Sequence, residues 1–332
     1  MQPFTYTRAG TIDDAIRTVA TGGPGTRFLA GGTTLYDLMK LDIERPSRVV
    51  DLSGIEDMRG VDTAGPELVL GALARMSDVA AHPYIVSEYP ALSESLWRAA
   101  SQQLRNMATL GGNLLQRTRC AYFRGGAPFP CNKREPGSGC AAQGGIDRGH
   151  ALLGGSDACI AVYPGDFAIA LVAFDAKIDV LGPKGQRSLA VEELHREPHT
   201  APDVDTTLEH GELIVRIRVP KTALGRASTY HKIRDRESYA FALASAAVAL
   251  ETDGAVVRAA RIAIGGLATR PWRVRAAEQV LVGQPLTPEI AREAGDMALR
   301  GAKPGHDNGF RVELGARTVA DALMIAKQRA GS

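Results

Sequence analysis

All four cysteines of the chain lie within one short stretch, residues 117–159, which we call the cysteine segment. The spacing from Cys120 to Cys131, Cys140 and Cys159 is C-x10-C-x8-C-x18-C, and no other cysteine occurs in the 332 residues. Random placement rarely concentrates thiols in this way. The segment is therefore expected to bring its four sulfurs to one site, and its many glycines permit the sharp loops that this requires.

Three chemistries use four cysteines, and the spacing alone leaves all three open. Disulfides are uncommon inside cells. Structural zinc usually binds closely spaced C-x2-C pairs, which the segment lacks. A [4Fe-4S] cube tolerates long loops between its ligands, and the excess of arginine and lysine over acidic residues would offset its negative charge. A cysteine nucleophile has less support, because His150 is the only histidine nearby and no cysteine is marked as activated.

Composition limits the other classes of protein to which the chain could belong. A hydrophobic content of 45% and a charged content of 23% are those of an ordinary soluble protein long enough for two domains. A net charge of +2 gives no general basic field, so nucleic-acid binding has no support. The apolar stretches are too short to span a bilayer. The N-terminus shows no secretory signal, which predicts a cytoplasmic protein, or a periplasmic one if a partner carries the signal.

The hydrophobic pattern predicts a small β-α-β unit at the N-terminus, with Thr11 capping its first helix. Further elements follow along the chain. We predict strands at 68–72, 168–174, 177–181, 213–219, 230–234, 240–250 and 256–265, and helices at 90–104, 271–282, 288–300 and 310–330. Residues 220–227 are expected to link two domains.

Two glycine turns are the other chemical feature of the sequence. The first, residues 31–34, follows a predicted strand directly, and the second, residues 109–113, precedes the cysteine segment. Glycines let a backbone approach a ligand closely, and the N–H groups of such turns attract a diphosphate. The pattern is not G-x-G-x-x-G, so a Rossmann fingerprint is absent. Taken alone, each turn is equally compatible with a plain connection between elements.

Four stretches together resemble the FAD-binding medium subunit of the molybdenum hydroxylases, the xanthine dehydrogenase and aldehyde oxidoreductase group. They are FLAGGTTL at 28–35, ATLGGNL at 108–114, PGD at 164–166 and YHKIRDRESY at 230–239. Most members pass from the second turn to the aspartate in a few residues. The cysteine segment inserted there is similar to the [4Fe-4S] insert of the aldehyde oxidoreductase type. Many relatives have serine before the aspartate, where this chain has Gly165.

The resemblance implies a role for each matching residue. The diphosphate of FAD is expected at the first turn and its flanks: Leu29, Ala30, Gly31, Gly32, Thr33, Thr34 and Leu35. The second part of this cradle is Thr109, Gly111, Gly112 and Asn113. Asp166 is expected at the ribose or adenylate end, and Lys232 near the isoalloxazine, where positive charge favours the anionic reduced flavin. The expected ligands of a [4Fe-4S] cluster are Cys120, Cys131, Cys140 and Cys159.

The implied fold is α+β. An FAD-binding domain, residues 1–220, would combine a small β-α-β subdomain (about 1–56) with a larger mixed subdomain (about 57–220) that contains the iron–sulfur insert at 117–159. A C-terminal domain of antiparallel strands and helices would follow at 226–332.

The implied function is electron transfer without a catalytic acid or base in this chain. Substrate oxidation would occur at a molybdenum cofactor on a large molybdopterin-binding subunit. Electrons would pass through [2Fe-2S] clusters on a small subunit to the FAD and then to an external acceptor, in a heterotrimer or a dimer of heterotrimers. Two alternatives remain open: a free-standing FAD-dependent oxidase or dehydrogenase, and a zinc-stabilised binding protein without redox activity.

Overall fold

A computed structural model of the chain describes residues 1–331. The N-terminal subdomain is a three-stranded parallel sheet with strand order β1–β3–β2. Its elements are β1 (Thr5–Arg8), α1 (Ile12–Gly22), β2 (Thr26–Leu29), α2 (Leu35–Lys40) and β3 (Arg48–Asp51). Thr11 caps α1 by accepting the N–H of Asp14 at 3.1 Å, so the predicted β-α-β unit and its cap are present.

The middle region is built on a five-stranded antiparallel sheet with the order β4–β5–β8–β6–β7. Its strands are β4 (Val61–Asp62), β5 (Glu67–Gly71), β6 (Lys177–Gly182), β7 (Gly185–Ala190) and β8 (Leu213–Pro220). Its helices are α3 (Met76–Ala80), α4 (Pro83–Glu88), α5 (Pro90–Trp97), α6 (Gln102–Arg105), α7 (Leu110–Leu114), α8 (Ala121–Arg124), α9 (Phe167–Ala173) and α10 (Val191–Leu194).

Two predictions in the middle region are wrong. A strand was predicted at 168–174, but residues 168–173 belong to helix α9, whose seven residues are all buried. A short apolar run buried on every side has no periodicity that separates a helix from a strand. The predicted helix at 90–104 is broken after Trp97, because Ala100 takes a φ of +48°. Ser101 then caps α6 by accepting the N–H of Leu104.

The C-terminal region is a four-stranded antiparallel sheet, β12–β11–β10–β9, covered by helices. Its elements are β9 (Ser228–Ile233), β10 (Ala244–Asp253), β11 (Val256–Gly265), β12 (Trp272–Arg273), α11 (Arg275–Leu281), α12 (Pro288–Ala298) and α13 (Phe310–Ala330). Strand β10 begins later than predicted, and so does α11, because Trp272 and Arg273 pair with β11. Within residues 1–331 no helix has both the length and the apolar character needed to cross a bilayer.

The C-terminal region braces the cysteine segment. Arg311 of α13 is only 1% exposed, and its guanidinium donates to the carbonyl oxygens of Arg148 at 3.2 Å and His150 at 2.7 Å. Burial lowers the pKa of Arg311 to about 10. Asp147 accepts the backbone N–H groups of His306 and Asp307 at 2.8 and 2.7 Å. The segment is therefore tied to a part of the chain that is distant in sequence.

Candidate functional site

The first glycine turn connects β2 to α2 and packs against the approach to the second turn. Gly32 has a φ of +74°, which side chains disfavour. A Cβ at Gly31 would lie 2.0 Å from the carbonyl oxygen of Met107, so only glycine permits this contact. The carbonyls of Gly32 and Thr34 accept the N–H groups of Tyr36 and Leu38. The N–H groups of the residues just before Tyr36 have no partner inside the helix and are available to a ligand.

The second turn is more self-contained than the first. The N–H of Gly111 donates to Ala72 at 2.8 Å, and that of Gly112 donates to the hydroxyl of Thr109 at 3.3 Å. Two groups remain available to a ligand. One is the hydroxyl hydrogen of Thr109. The other is the amide of Asn113, whose Oδ1 is buried without a hydrogen-bond partner in the described part of the chain. This orphaned polar atom fits a polar ligand between the turns.

Residues 31–34 form a wall shared by two cavities. The smaller cavity is otherwise mostly apolar and includes Phe28, Leu213 and Ile214. The larger cavity includes Asn113, Asp166, Tyr36, Tyr239 and Phe241. A ligand with two ring systems joined by a diphosphate suits two chambers separated by a glycine wall. The predicted cradle residues Leu29 and Leu35 line the smaller cavity.

Asp166 and Lys232 form a buried ion pair at 2.8 Å. The other oxygen of Asp166 accepts the hydroxyl of Tyr230 at 2.5 Å, and the Lys232 ammonium also donates to the carbonyl of Arg98 at 3.1 Å. Burial, together with the charge of Asp166, raises the pKa of Tyr230 well above its usual value. Asp166 lines the larger cavity, and Lys232 is not among the residues that line it.

This pairing bears on two roles that the resemblance implied. Asp166 was expected at the ribose or adenylate end of FAD and Lys232 near the isoalloxazine, and both roles stay predictions. Because their side chains are bonded to each other, they belong to the same end of the cleft. Asp166 lines the larger cavity, whereas Leu213 and Ile214 line the smaller one.

All four cysteines line a single small cavity, with Phe123 and Ala142 among its apolar walls. The four are free thiols. Backbone pairing brings two of them together, because residues Cys131 and Cys140 form an isolated antiparallel bridge. Among residues 1–331, no three or more histidine, cysteine or acidic side chains converge closely enough to hold one metal ion. Among the described residues, the four cysteines thus share one cavity without forming a site for a single metal ion.

The electrostatics of this cavity disfavour a cysteine nucleophile. Burial raises the pKa of Cys120, and raises that of Cys159 to about 11. His150 Nε2 lies 3.2 Å from Cys120 Sγ, but burial lowers the pKa of His150, so a thiolate–imidazolium pair is unfavourable on both sides. The N–H of Ala161 donates to Cys159 Sγ at 3.4 Å. Burial therefore favours the neutral thiol at Cys120 and Cys159.

Two ion-pair groups join the cysteine segment to the N-terminal and middle regions of the protein. In the first, Asp205 accepts Lys133 at 2.5 Å and Arg117 at 2.7 Å, and Arg117 also reaches Glu44 at 2.7 Å. Burial alone would raise the pKa of Asp205, but the two cations lower it. The sequence signalled this group only through its excess of basic residues.

In the second group, Asp37 of α2 accepts both Arg119 at 3.1 Å and Arg124 at 2.8 Å on one carboxylate oxygen. All three side chains line the larger cavity. The next residue after Arg119, Cys120, lines the cysteine cavity. Sequence reasoning missed this contact, because the partners lie 82 and 87 residues apart and carry no motif.

A two-chambered cleft between glycine turns defines a flavin-dinucleotide protein of a non-Rossmann type. The family described as "FAD binding domain in molybdopterin dehydrogenase" matches residues 2–222, and the one described as "CO dehydrogenase flavoprotein C-terminal domain" matches residues 228–325. The chain therefore belongs to the FAD-binding subunits of the molybdenum hydroxylase family, which confirms the resemblance seen in the sequence.

Individual relatives agree with this assignment. The chain is 43% identical to the aldehyde oxidoreductase FAD-binding subunit PaoB of Escherichia coli, over 99% of this chain and all of that one. It is 26% identical to the carbon monoxide dehydrogenase medium chain of Hydrogenophaga pseudoflava, over 98% of each. Its fold matches a reconstituted CO dehydrogenase structure from Oligotropha carboxidovorans with a TM-score of 0.78, at 25% identity, covering 99% of this chain and 100% of that chain.

Proposed function

We propose that this chain is the FAD- and [4Fe-4S]-carrying electron-transfer subunit of a molybdenum-dependent oxidoreductase of the aldehyde oxidoreductase or xanthine dehydrogenase type. The main support for this proposal is that the flavin cleft and the cysteine cavity are adjacent. Arg119 lines the larger cavity of the flavin cleft, and Cys120, its neighbour in the chain, lines the cysteine cavity. The two cavities therefore meet along the chain at residues 119 and 120.

The arrangement of the cleft supports an assignment for each part of FAD. Residues 31–34, with Thr109 and Asn113, would hold the diphosphate. The larger cavity would take the isoalloxazine, since it has more room and three aromatic residues in its wall. The smaller, mostly apolar cavity would take the adenine. When bound, FAD supplies the ability to exchange electrons singly or in pairs. The protein's part is to bind and orient the cofactor and to set the charge around it.

The cysteine cavity supports a cluster rather than a single ion. A [4Fe-4S] cube uses four thiolates placed around its own volume, and the four cysteines surround one cavity. The N–H of Ala161, directed at Cys159 Sγ, is the kind of bond that tunes a cluster's potential. Lys133, which lines the same cavity, would contribute positive charge beside the thiolates, and Asp205 shares that charge.

The partners follow from the relatives. The Escherichia coli relative is named as an FAD-binding subunit and that of Hydrogenophaga pseudoflava as a medium chain. For this chain we expect a large molybdopterin-binding subunit, where the substrate is oxidised, and a small [2Fe-2S] subunit that relays electrons. The compartment would be the cytoplasm, or the periplasm if a partner carries the export signal.

Metal and flavin analysis of the purified full chain tests the proposal. Anaerobically prepared protein should contain one FAD and about four irons per chain. Cys131→Ser should lose the iron and keep the FAD. The control Gly149→Ala, where a Cβ meets nothing within 4 Å, should keep both. Stoichiometric zinc in a colourless protein would overturn the proposal, and turnover of a substrate by the isolated chain would favour a free-standing flavin enzyme.

A further inference from the structure

The larger cavity carries more positive than negative side chains. Three basic residues, Arg119, Arg124 and Lys40, line it together with the acidic residues Asp37 and Asp166. Asp166 is already neutralised by a buried lysine. Asp37 is shared by two guanidinium groups on one oxygen. One carboxylate cannot neutralise two cations, so positive charge remains beside the space assigned to the isoalloxazine.

Arg119 is the member of this group best placed to act on a ligand. Its side chain is 28% exposed, and its guanidinium carbon lies 5.1 Å from the ring centre of Phe241, another residue of the cavity wall. Its Nε is buried without a hydrogen-bond partner in the described part of the chain. The side chain is thus held between Asp37 and Phe241 and retains a donor with no protein acceptor.

We propose that Arg119 is a positioning and tuning residue for the flavin, supplied by the cysteine segment to the FAD cleft. Its charge favours reduced FAD, the more negatively charged form, over oxidised FAD. Asp37 opposes this effect by sharing the charge, so the Asp37–Arg119 pair sets the midpoint potential of the bound flavin. This inference rests on the proposed FAD site and adds a second role to the segment, independent of its cysteines.

The test measures the midpoint potential of FAD bound to the iron-bearing full chain by dye-coupled reductive titration at fixed ionic strength. Arg119→Met should weaken the binding of reduced FAD about tenfold relative to that of oxidised FAD. This corresponds to a fall of about 30 mV in the two-electron midpoint potential. Asp37→Asn should shift the potential in the opposite direction. Arg119→Lys keeps the charge and should stay near wild type. Shifts of the midpoint potential in opposite directions in Arg119→Met and Asp37→Asn cannot arise from loss of structure alone.

Arg258→Met is the matched control, because it removes the same charge from a residue that pairs with Asp253 on the β10–β11 hairpin. Its potential should equal that of wild type. Equal potentials in wild type, Arg119→Met and Asp37→Asn, with FAD bound to each, would overturn this inference and leave the proposed function standing. Failure of wild-type chain to bind FAD would overturn both.

Discussion

The ammonium of Lys232 and the carboxylate of Asp166 are joined at 2.8 Å, and their side chains are only 1% and 5% exposed. They lie 66 residues apart in the chain. The pair connects strand β9 of the C-terminal region to the start of helix α9 and forms part of the wall of the flavin cleft. Folding of the two regions and formation of the cleft are therefore linked at this point.

Breaking this pair should be costly. Asp166→Asn or Lys232→Met leaves a buried charge without its partner, which lowers the free energy of unfolding by roughly 3–5 kcal/mol. The double variant Asp166→Asn/Lys232→Met should lose less free energy of unfolding than the two single variants together, because neither charge is then buried without its partner. Denaturant unfolding of all four proteins measures the coupling. Strict additivity would show that the ion pair does not contribute as described.

The first glycine turn should not tolerate even one added methyl group. Gly31→Ala places a Cβ 2.0 Å from a backbone oxygen, and such overpacking lowers the free energy of unfolding by roughly 1–3 kcal/mol. It also moves the two glycine turns apart, so the purified protein should lose FAD. Gly60→Ala, whose Cβ meets nothing within 4 Å, is the control. Full FAD occupancy in Gly31→Ala would contradict the cradle.

A buried histidine should make stability depend on pH. Burial lowers the pKa of His195 to about 4 from 6.5. Between these values the unfolded chain binds a proton that the folded chain does not, so stability falls as pH falls from 6.5 towards 4. The full effect is about 3 kcal/mol. His195→Gln can still donate to the carbonyl of Leu114, which His195 Nε2 contacts at 2.8 Å, and should flatten the curve. Identical pH profiles would exclude His195 as the source.

Removing iron should loosen the cysteine segment locally. Lys133 and Arg134 lie between two expected ligands, and their side chains are held by Asp205 and by backbone carbonyls. Without a cluster the loop loses its internal anchor, so trypsin should cut after these residues faster. Mass spectrometry of timed digests measures the rate, with cleavage after Arg258 as the internal reference. Equal rates with and without iron would argue against a metal that organises the loop.

Elements with local signals could be predicted from the sequence. The cap at Thr11 and the spacing of Ala15, Ile16 and Val19 specify α1. The alternation of apolar and polar residues in β8 and the length of α13 could be predicted from the sequence in the same way. The four cysteines announced a common site by their clustering alone, and the structure brings them to one cavity.

Features decided by tertiary contacts could not be predicted. Helix α9 has seven apolar residues that are buried on all sides, so no period marks it as helical. The break before Ser101 depends on a positive φ at Ala100, which no glycine or proline announces. The shared use of Asp37 by Arg119 and Arg124 joins distant charges with no motif. The resemblance supplied residue roles without the spatial relation of Asp166 to Lys232.

Arg311 imposes an order on biosynthesis. Residues 117–159 leave the ribosome long before this guanidinium, which follows His150 by 161 residues. Until Arg311 is made, the carbonyls of residues 148 and 150 lack the clamp that fixes this side of the cysteine cavity. In a nascent chain that has not reached Arg311, this side of the cysteine cavity therefore lacks the hydrogen bonds that fix it, and the cavity is complete only in the finished, folded polypeptide.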